Sequence, residues 1–237
     1  MRSNVPKCKY DEGENAMAAK RVGVLLAGCG WLDGAEIQEA VCTLLALDQR
    51  GANVVYMAPD VGQMHVVDHQ SESPSDESPR NVLKESARIT RGNVLPVSSV
   101  QAADLDALVV PGGFGAAKNL CDFAVNGTDM SVHSEVARLI KDMHAAGKPQ
   151  GFICIAPALA AKVLGAHGVQ LTIGTDEGTA DALRSMGAHH INVEPGGIHV
   201  DEANHIVSTP AYMLGPNISA VHQGIDALVE HVMARIT

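Results

Sequence analysis

The segment Gly151-Phe152-Ile153-Cys154-Ile155-Ala156-Pro157 sets a cysteine between a short apolar run and a proline suited to the first turn of a helix. A nucleophile at such a strand-to-helix turn stands at the carboxyl edge of a sheet, among the unpaired N–H groups of the helix start. Those dipoles favour a thiolate, the form of cysteine that attacks carbon. Gly112 and Gly113 follow another apolar run, where the lack of a Cβ lets backbone N–H groups approach a ligand closely. With the Ile155 N–H they would make an oxyanion hole. Glu36 and Glu39 lie three residues apart on one face of an expected helix, and one of them could reach Cys154. A carboxyl pressed against a thiol in a dry pocket has a raised pKa and can carry a proton. Each feature also has a purely structural reading: a small buried thiol, a glycine turn, and two glutamates favouring a helix N-terminus.

Other chemistries lack their residues. No G-x-x-x-x-G-K-[ST] is present, and Gly28-Cys29-Gly30 does not continue into a dinucleotide fingerprint because Asp33 stands where the third glycine belongs. Nucleotide binding is not expected. Of eleven histidines, His65 and His69 are the best-spaced pair, but no cysteine or carboxylate cluster completes a metal site around them, so neither metal nor cofactor is expected. The five cysteines include no C-x-x-C pair and are dispersed through a large domain, which fits a reducing compartment. A net charge of −10, with acidic residues spread along the chain, argues against nucleic-acid or anionic-membrane partners. Every apolar run is interrupted well short of a membrane span.

Stepping from these residues to what must hold them, 237 residues with 46% apolar content suffice for one large core. Residues 1–20, which suit neither a signal nor a transit peptide, read as a disordered tail or expression remnant, and 21–237 as a single domain. Strands are expected at 22–26, 54–58, 107–110, 151–153 and 171–173, with a hairpin between His199 and Ser208. Helices are expected at 35–50, capped by Asp33, and at 80–91, 131–146, 156–164, 179–186 and 217–235. The serine-, proline- and acid-rich stretch 70–79 reads as an exposed loop. Strands alternating with helices specify an α/β fold, a flavodoxin-like doubly wound and mostly parallel sheet, whose ligands bind beyond the strands' carboxyl ends.

Val22 to Pro59, Ala87 to Gly92, the run Pro111-Gly-Gly-Phe-Gly-Ala-Ala-Lys-Asn119, Cys154-Ile-Ala-Pro157 and Thr209-Pro-Ala-Tyr212 together resemble the ElbB proteins and their mitochondrial amidotransferase-like relatives. These belong to the PfpI-like branch of the class I glutamine amidotransferase superfamily. The resemblance implies a homodimer, Cys154 as the elbow cysteine, Gly112, Gly113 and Ile155 as oxyanion-hole positions, and Glu39 as the glutamate touching the cysteine. Glu36 is the alternative, one turn away. Two departures matter. Amidotransferases carry a histidine followed by proline and glutamate late in the chain, where this chain reads Ser208-Thr209-Pro210-Ala211, and PfpI-like proteases carry a histidine directly after the cysteine, where this chain has Ile155. Glutaminase and protease chemistry lose their base, and His167 is the conceivable substitute.

A cysteine and a glutamate without histidine can still attack an aldehyde. The resemblance implies a glutathione- and metal-independent glyoxalase acting on glyoxal or a related small aldehyde and giving glycolate, with Glu39 moving a proton between the two carbons through an enediol. A non-catalytic redox- or metabolite-sensing protein is the alternative, and an amidotransferase subunit with a synthase partner is a third reading. The expected location is the cytoplasm, with the mitochondrial matrix as the alternative in a eukaryote.

Overall fold

The computed structural model describes residues 19–75 and 79–237. The expected tail therefore lies almost wholly outside the described residues, as does Cys8. β1 (Arg21–Leu25) is buried from its second residue onward, as a strand covered on both faces must be. A loop leads to α1 (Ile37–Gln49), which buries Glu39, Ala40, Cys42, Thr43, Ala46 and Leu47. Asp33 does not cap this helix. Its Oδ2 accepts from the Val67 N–H at 2.8 Å, and the cap is Glu36, whose Oε2 accepts from the Glu39 N–H at 2.6 Å. β2 (Asn53–Ala58) follows. β3 (Val67–Asp68), just before the stretch read as loop, and β4 (Ser73–Pro74), within it, form a minimal antiparallel ladder. α2 (Val82–Ile89) starts on an Asn81 cap, and β5 (Leu95–Pro96) is a two-residue edge that the sequence pattern did not disclose. Its proline suits an edge position, because no further strand needs that missing N–H.

β6 (Ala107–Val110) is wholly buried and runs into the short helices α3 (Phe114–Lys118) and α4 (Phe123–Asn126). α5 (Ser134–Ala145) buries Val136, Leu139, Ile140 and Met143 at helical spacing. β7 (Gln150–Ile153) leads through Cys154 into α6 (Pro157–Leu164). β8 (Gln170–Leu171), α7 (Glu177–Ser185) and β9 (His189–His190) come next, then the hairpin of β10 (His199–Asp201) and β11 (Ile206–Thr209), and finally α8 (Ile218–Ala234). The strand expected at 171–173 does not join the main sheet. The observed strand, Gln170–Leu171, pairs with β9 in a separate two-stranded ladder, and beyond it the Thr172 N–H is taken by the Ser208 hydroxyl at 2.9 Å.

The main sheet runs β10-β11-β7-β6-β1-β2-β5, parallel except for the β10–β11 pair. Chain order reverses between β1 and β6, so the crevice beyond their carboxyl ends is the switch point where such sheets bind ligands. Registers align the exits: Val24 pairs with Val109, Val110 with Phe152, and Ile153 with Thr209. Four loops, after β1, β6, β7 and β11, thus open at one level. Within the described residues no helix is long and apolar enough to cross a membrane.

Candidate active site

Cys154 occupies the turn between β7 and α6 with φ 62°, a left-handed conformation that costs a non-glycine residue about 1–2 kcal/mol. Its N–H donates to the Thr209 carbonyl at 2.9 Å, which fixes the turn against the exit of β11. Only 7% of the residue is exposed. The N–H groups of Gly113 and Ile155 are directed at its sulfur. They favour a thiolate, as the helix-start argument anticipates. Burial and the adjacent Glu39 carboxylate oppose them and win, so the Cys154 thiol is held well above its ordinary value. The resting residue is a thiol, not the thiolate that the turn position alone implied.

Glu39 is fully buried and hydrogen-bonded to Cys154. The Gly112 N–H donates to its Oε2 at 3.0 Å and the Tyr212 N–H to its Oε1 at 3.2 Å. Tyr212 reaches it because Ala211 adopts φ 41° at the turn out of β11. Burial first, then the neighbouring Glu36 carboxylate, push Glu39 up from 4.5 to about 8 against three hydrogen bonds, so it is mostly neutral at pH 7. A neutral carboxylic acid can accept both amides and still offer its proton to the sulfur. Glu36 is placed differently. As the cap of α1 it faces the cavity, and burial raises its pKa against the hydrogen bonds of the Glu39 and Gln38 amides.

Two glycines set these distances. A Cβ at Gly112 would stand 2.4 Å from the Cys154 Cβ and 2.7 Å from the Glu39 Oε2. Gly113 has φ 92°, and a Cβ there would meet the Glu36 backbone nitrogen at 2.3 Å. Backbone bonds lace the two loops together: Glu36 N–H to the Gly112 carbonyl at 3.0 Å, Phe114 N–H to Trp31 at 2.8 Å, and Gly115 N–H to Gly34 at 2.8 Å. Buried Asn119 adds a brace, donating to the Ala27 and Asp33 carbonyls, each at 2.8 Å.

Of the three expected oxyanion donors, Gly113 and Ile155 point at the sulfur, whereas the Gly112 N–H is committed to Glu39. Gly112 therefore positions the carboxyl instead of offering a free donor. No histidine is among the residues lining the cavity over Cys154. His167 stacks against His144 at a centroid distance of 4.5 Å, outside that lining. His69 accepts from the Leu32 N–H at 3.3 Å and sits 3.8 Å from Asp33. Among the described residues no group of three His, Cys, Asp or Glu side chains could hold a metal ion. Sequence reasoning missed Tyr212 as a partner of Glu39, and Trp31, Phe114, Phe123 and Met213 as cavity walls. The signal available for Trp31 and Phe114 was a large aromatic residue just beyond a strand's carboxyl end.

No family model matches the chain. It is 48% identical over 224 residues to the human protein named glutamine amidotransferase-like class 1 domain-containing protein 3, mitochondrial, covering 91% of this chain and 83% of that one. It is 47% identical to the rat ES1 protein homolog, mitochondrial, over 90% and 83% of the two chains. Among solved structures, an isoprenoid biosynthesis protein with an amidotransferase-like domain from Ehrlichia chaffeensis matches with TM-score 0.85 and 34% identity, over 92% of this chain and all of that one. Drosophila melanogaster DJ-1beta shares the fold, with TM-score 0.52 and 19% identity over 92% and 95% of the chains. By the extent of these identities the chain belongs to the family of the ES1 and glutamine amidotransferase-like class 1 domain-containing 3 proteins, built on the DJ-1/PfpI-type amidotransferase fold.

Proposed function

We propose that this protein is a glutathione-independent glyoxalase that converts glyoxal, or a related small reactive aldehyde, to the hydroxy acid through Cys154. The observation that carries the reading is a strained cysteine thiol hydrogen-bonded to a fully buried glutamate, in a cavity with no histidine in its walls. An amide needs its leaving nitrogen protonated by a base-turned-acid such as histidine, whereas an aldehyde has no leaving group and needs only addition and proton transfer.

In the fraction of molecules where Glu39 is ionised, it takes the thiol proton as the sulfur bonds to an aldehyde carbon. The developing alkoxide lies beside the Gly113 and Ile155 N–H groups, and its protonation gives a hemithioacetal. The hydrogen on that carbon then moves to the adjacent carbonyl carbon through an enediol. We assign this transfer to Glu36, because Glu36 and not Glu39 lines the cavity. The result is a thioester of glycolate, which water cleaves to glycolate and the free thiol. Water is the only co-reactant, and no cofactor enters. The raised pKa and low exposure of Cys154 count against a redox sensor, which needs an accessible thiolate.

Incubation with glyoxal should yield glycolate, and Cys154→Ala should abolish it; equal product from both proteins would overturn the reading. Cys29, Cys42, Cys121 and Cys154 are all unpaired thiols, which suits a reducing compartment, cytoplasm or mitochondrial matrix. The second is where the printed names of the human and rat relatives place those proteins. We also propose a homodimer. Ile37, Val41 and Leu45 recur every fourth residue on α1 and are 44–49% exposed, an apolar stripe that a second copy would cover.

A further inference from the structure

We infer that the preferred aldehyde at Cys154 is an α-ketoaldehyde with an uncharged, aromatic-sized substituent on its ketone carbon. This inference deepens the glyoxalase reading and rests on it. Glyoxal has four heavy atoms and needs roughly 60–90 Å³, two to three waters' worth of liquid volume. The cavity that ends on Cys154 holds about 370 Å³. That is several times what glyoxal fills, and most of the lining surface is apolar. Its walls include Trp31, Phe114, Phe123, Ile155 and Met213.

The aromatic residues form a specific shape. The Trp31 and Phe114 rings, both in the cavity wall, are 6.1 Å apart and tilted by 53°, so together they offer aromatic surface in two orientations. Both residues remain 42–44% exposed, apolar area that an aryl or branched-alkyl group would remove from water. Charge narrows the class further. Among the described residues no Lys or Arg lines the cavity, and Glu36 contributes an acidic group, so a carboxylate or phosphate substituent would be desolvated without a partner there. Lys118, which is not among the lining residues, is already engaged: its ammonium donates to the Leu32 carbonyl at 3.0 Å and lies 5.0 Å above the Phe114 ring centre.

With phenylglyoxal the steps balance as they do for glyoxal. The S–H adds across the aldehyde, the hydrogen of that carbon moves to the former ketone carbon, and hydrolysis of the thioester releases mandelate and the thiol. Initial rates, taken before arginine side chains react, should give a kcat/KM at least tenfold higher for phenylglyoxal than for glyoxal. Phe114→Ala should lower that ratio about tenfold. A ratio near one, or one that Phe114→Ala leaves unchanged, overturns the inference while glycolate formation keeps the glyoxalase reading. A binding measurement separates the two ideas when neither aldehyde turns over. Acetophenone, which lacks the reactive aldehyde, should saturably protect Cys154 from alkylation by iodoacetamide, read by peptide mass, whereas acetone at the same concentration should not. Equal protection by both ketones overturns the inference whatever the turnover.

Discussion

The pairing of Glu39 with Cys154 has a thermodynamic signature that does not depend on knowing the substrate. Glu39 rises from 4.5 to about 8 on folding. Each unit is worth 1.36 kcal/mol, so the shift amounts to about 5 kcal/mol. The native state holds this proton more tightly than the unfolded chain does, so the contribution is fully present below pH 4.5 and is lost as pH rises to about 8. Between pH 5 and 9 it should remove about 4 kcal/mol of unfolding free energy. Glu39→Gln cannot titrate and removes that term, while the Cys154 and Cys42 thiols, which Glu39 also pushes up, stay raised chiefly by burial. The variant starts at a disadvantage, because a glutamine nitrogen cannot accept the Gly112 or Tyr212 N–H that a carboxyl oxygen accepts. Leaving one of them unpaired costs about 1–3 kcal/mol at low pH. The deficit should close and then reverse toward pH 9. Urea denaturation of both proteins at intervals of one pH unit measures it, and stability profiles that run parallel from pH 5 to 9 would refute a buried, protonated Glu39.

Cys154→Gly should stabilise the fold by about 1 kcal/mol while abolishing turnover, since glycine occupies φ 62° without the Cβ clash; thermal denaturation of the two proteins tests this. Gly112→Ala must displace Cys154 or Glu39, whose atoms lie 2.4 and 2.7 Å from the new methyl, and should cost 1–3 kcal/mol by denaturation together with most glyoxal turnover. Alkylation of Cys154 should accelerate with rising pH above neutrality, because burial and then Glu39 hold its thiol up, and a rate already at its plateau at pH 7 would contradict that order of effects. Val41→Glu on the α1 stripe should shift the sedimentation of the protein from dimer to monomer.

The parts of this fold that announce themselves in sequence are those decided by local pattern. The burial of β6 and β7 and the periodicity of α5 are properties of short contiguous stretches, and their observed limits fall within a few residues of the pattern. What sequence could not supply was arrangement. Glu36 and Glu39 share a helix face, so spacing alone leaves both able to reach a cysteine. The choice is made by where α1 begins, and that follows from Asp33 turning inward to Val67 and ceding the cap to Glu36. Gly112 and Gly113 look equivalent as letters, yet the N–H of one meets a carboxyl and that of the other a sulfur. The cavity walls come from loops and helix starts more than a hundred residues apart, so no window of sequence contains them.

Two opposing demands meet at Cys154. The turn that presents a side chain at a sheet's edge also forces φ positive, and the amides that favour a thiolate are outweighed by burial and by Glu39, which raise the thiol's pKa. A histidine would resolve this by holding the thiolate as one half of an ion pair, but such a pair suits substrates whose departing group must be protonated. With Glu39 mostly neutral beside a neutral thiol, the pair carries little charge while waiting, and the fraction in which Glu39 is ionised accepts the one proton that leaves the thiol on addition to an aldehyde. A largely apolar cavity is tolerable over such a pair and would be costly over an ion pair. The absence of histidine from the cavity walls and the burial of Glu39 are thus mutually consistent, since an ionised partner on either side would shift the protonation of the Cys154–Glu39 pair.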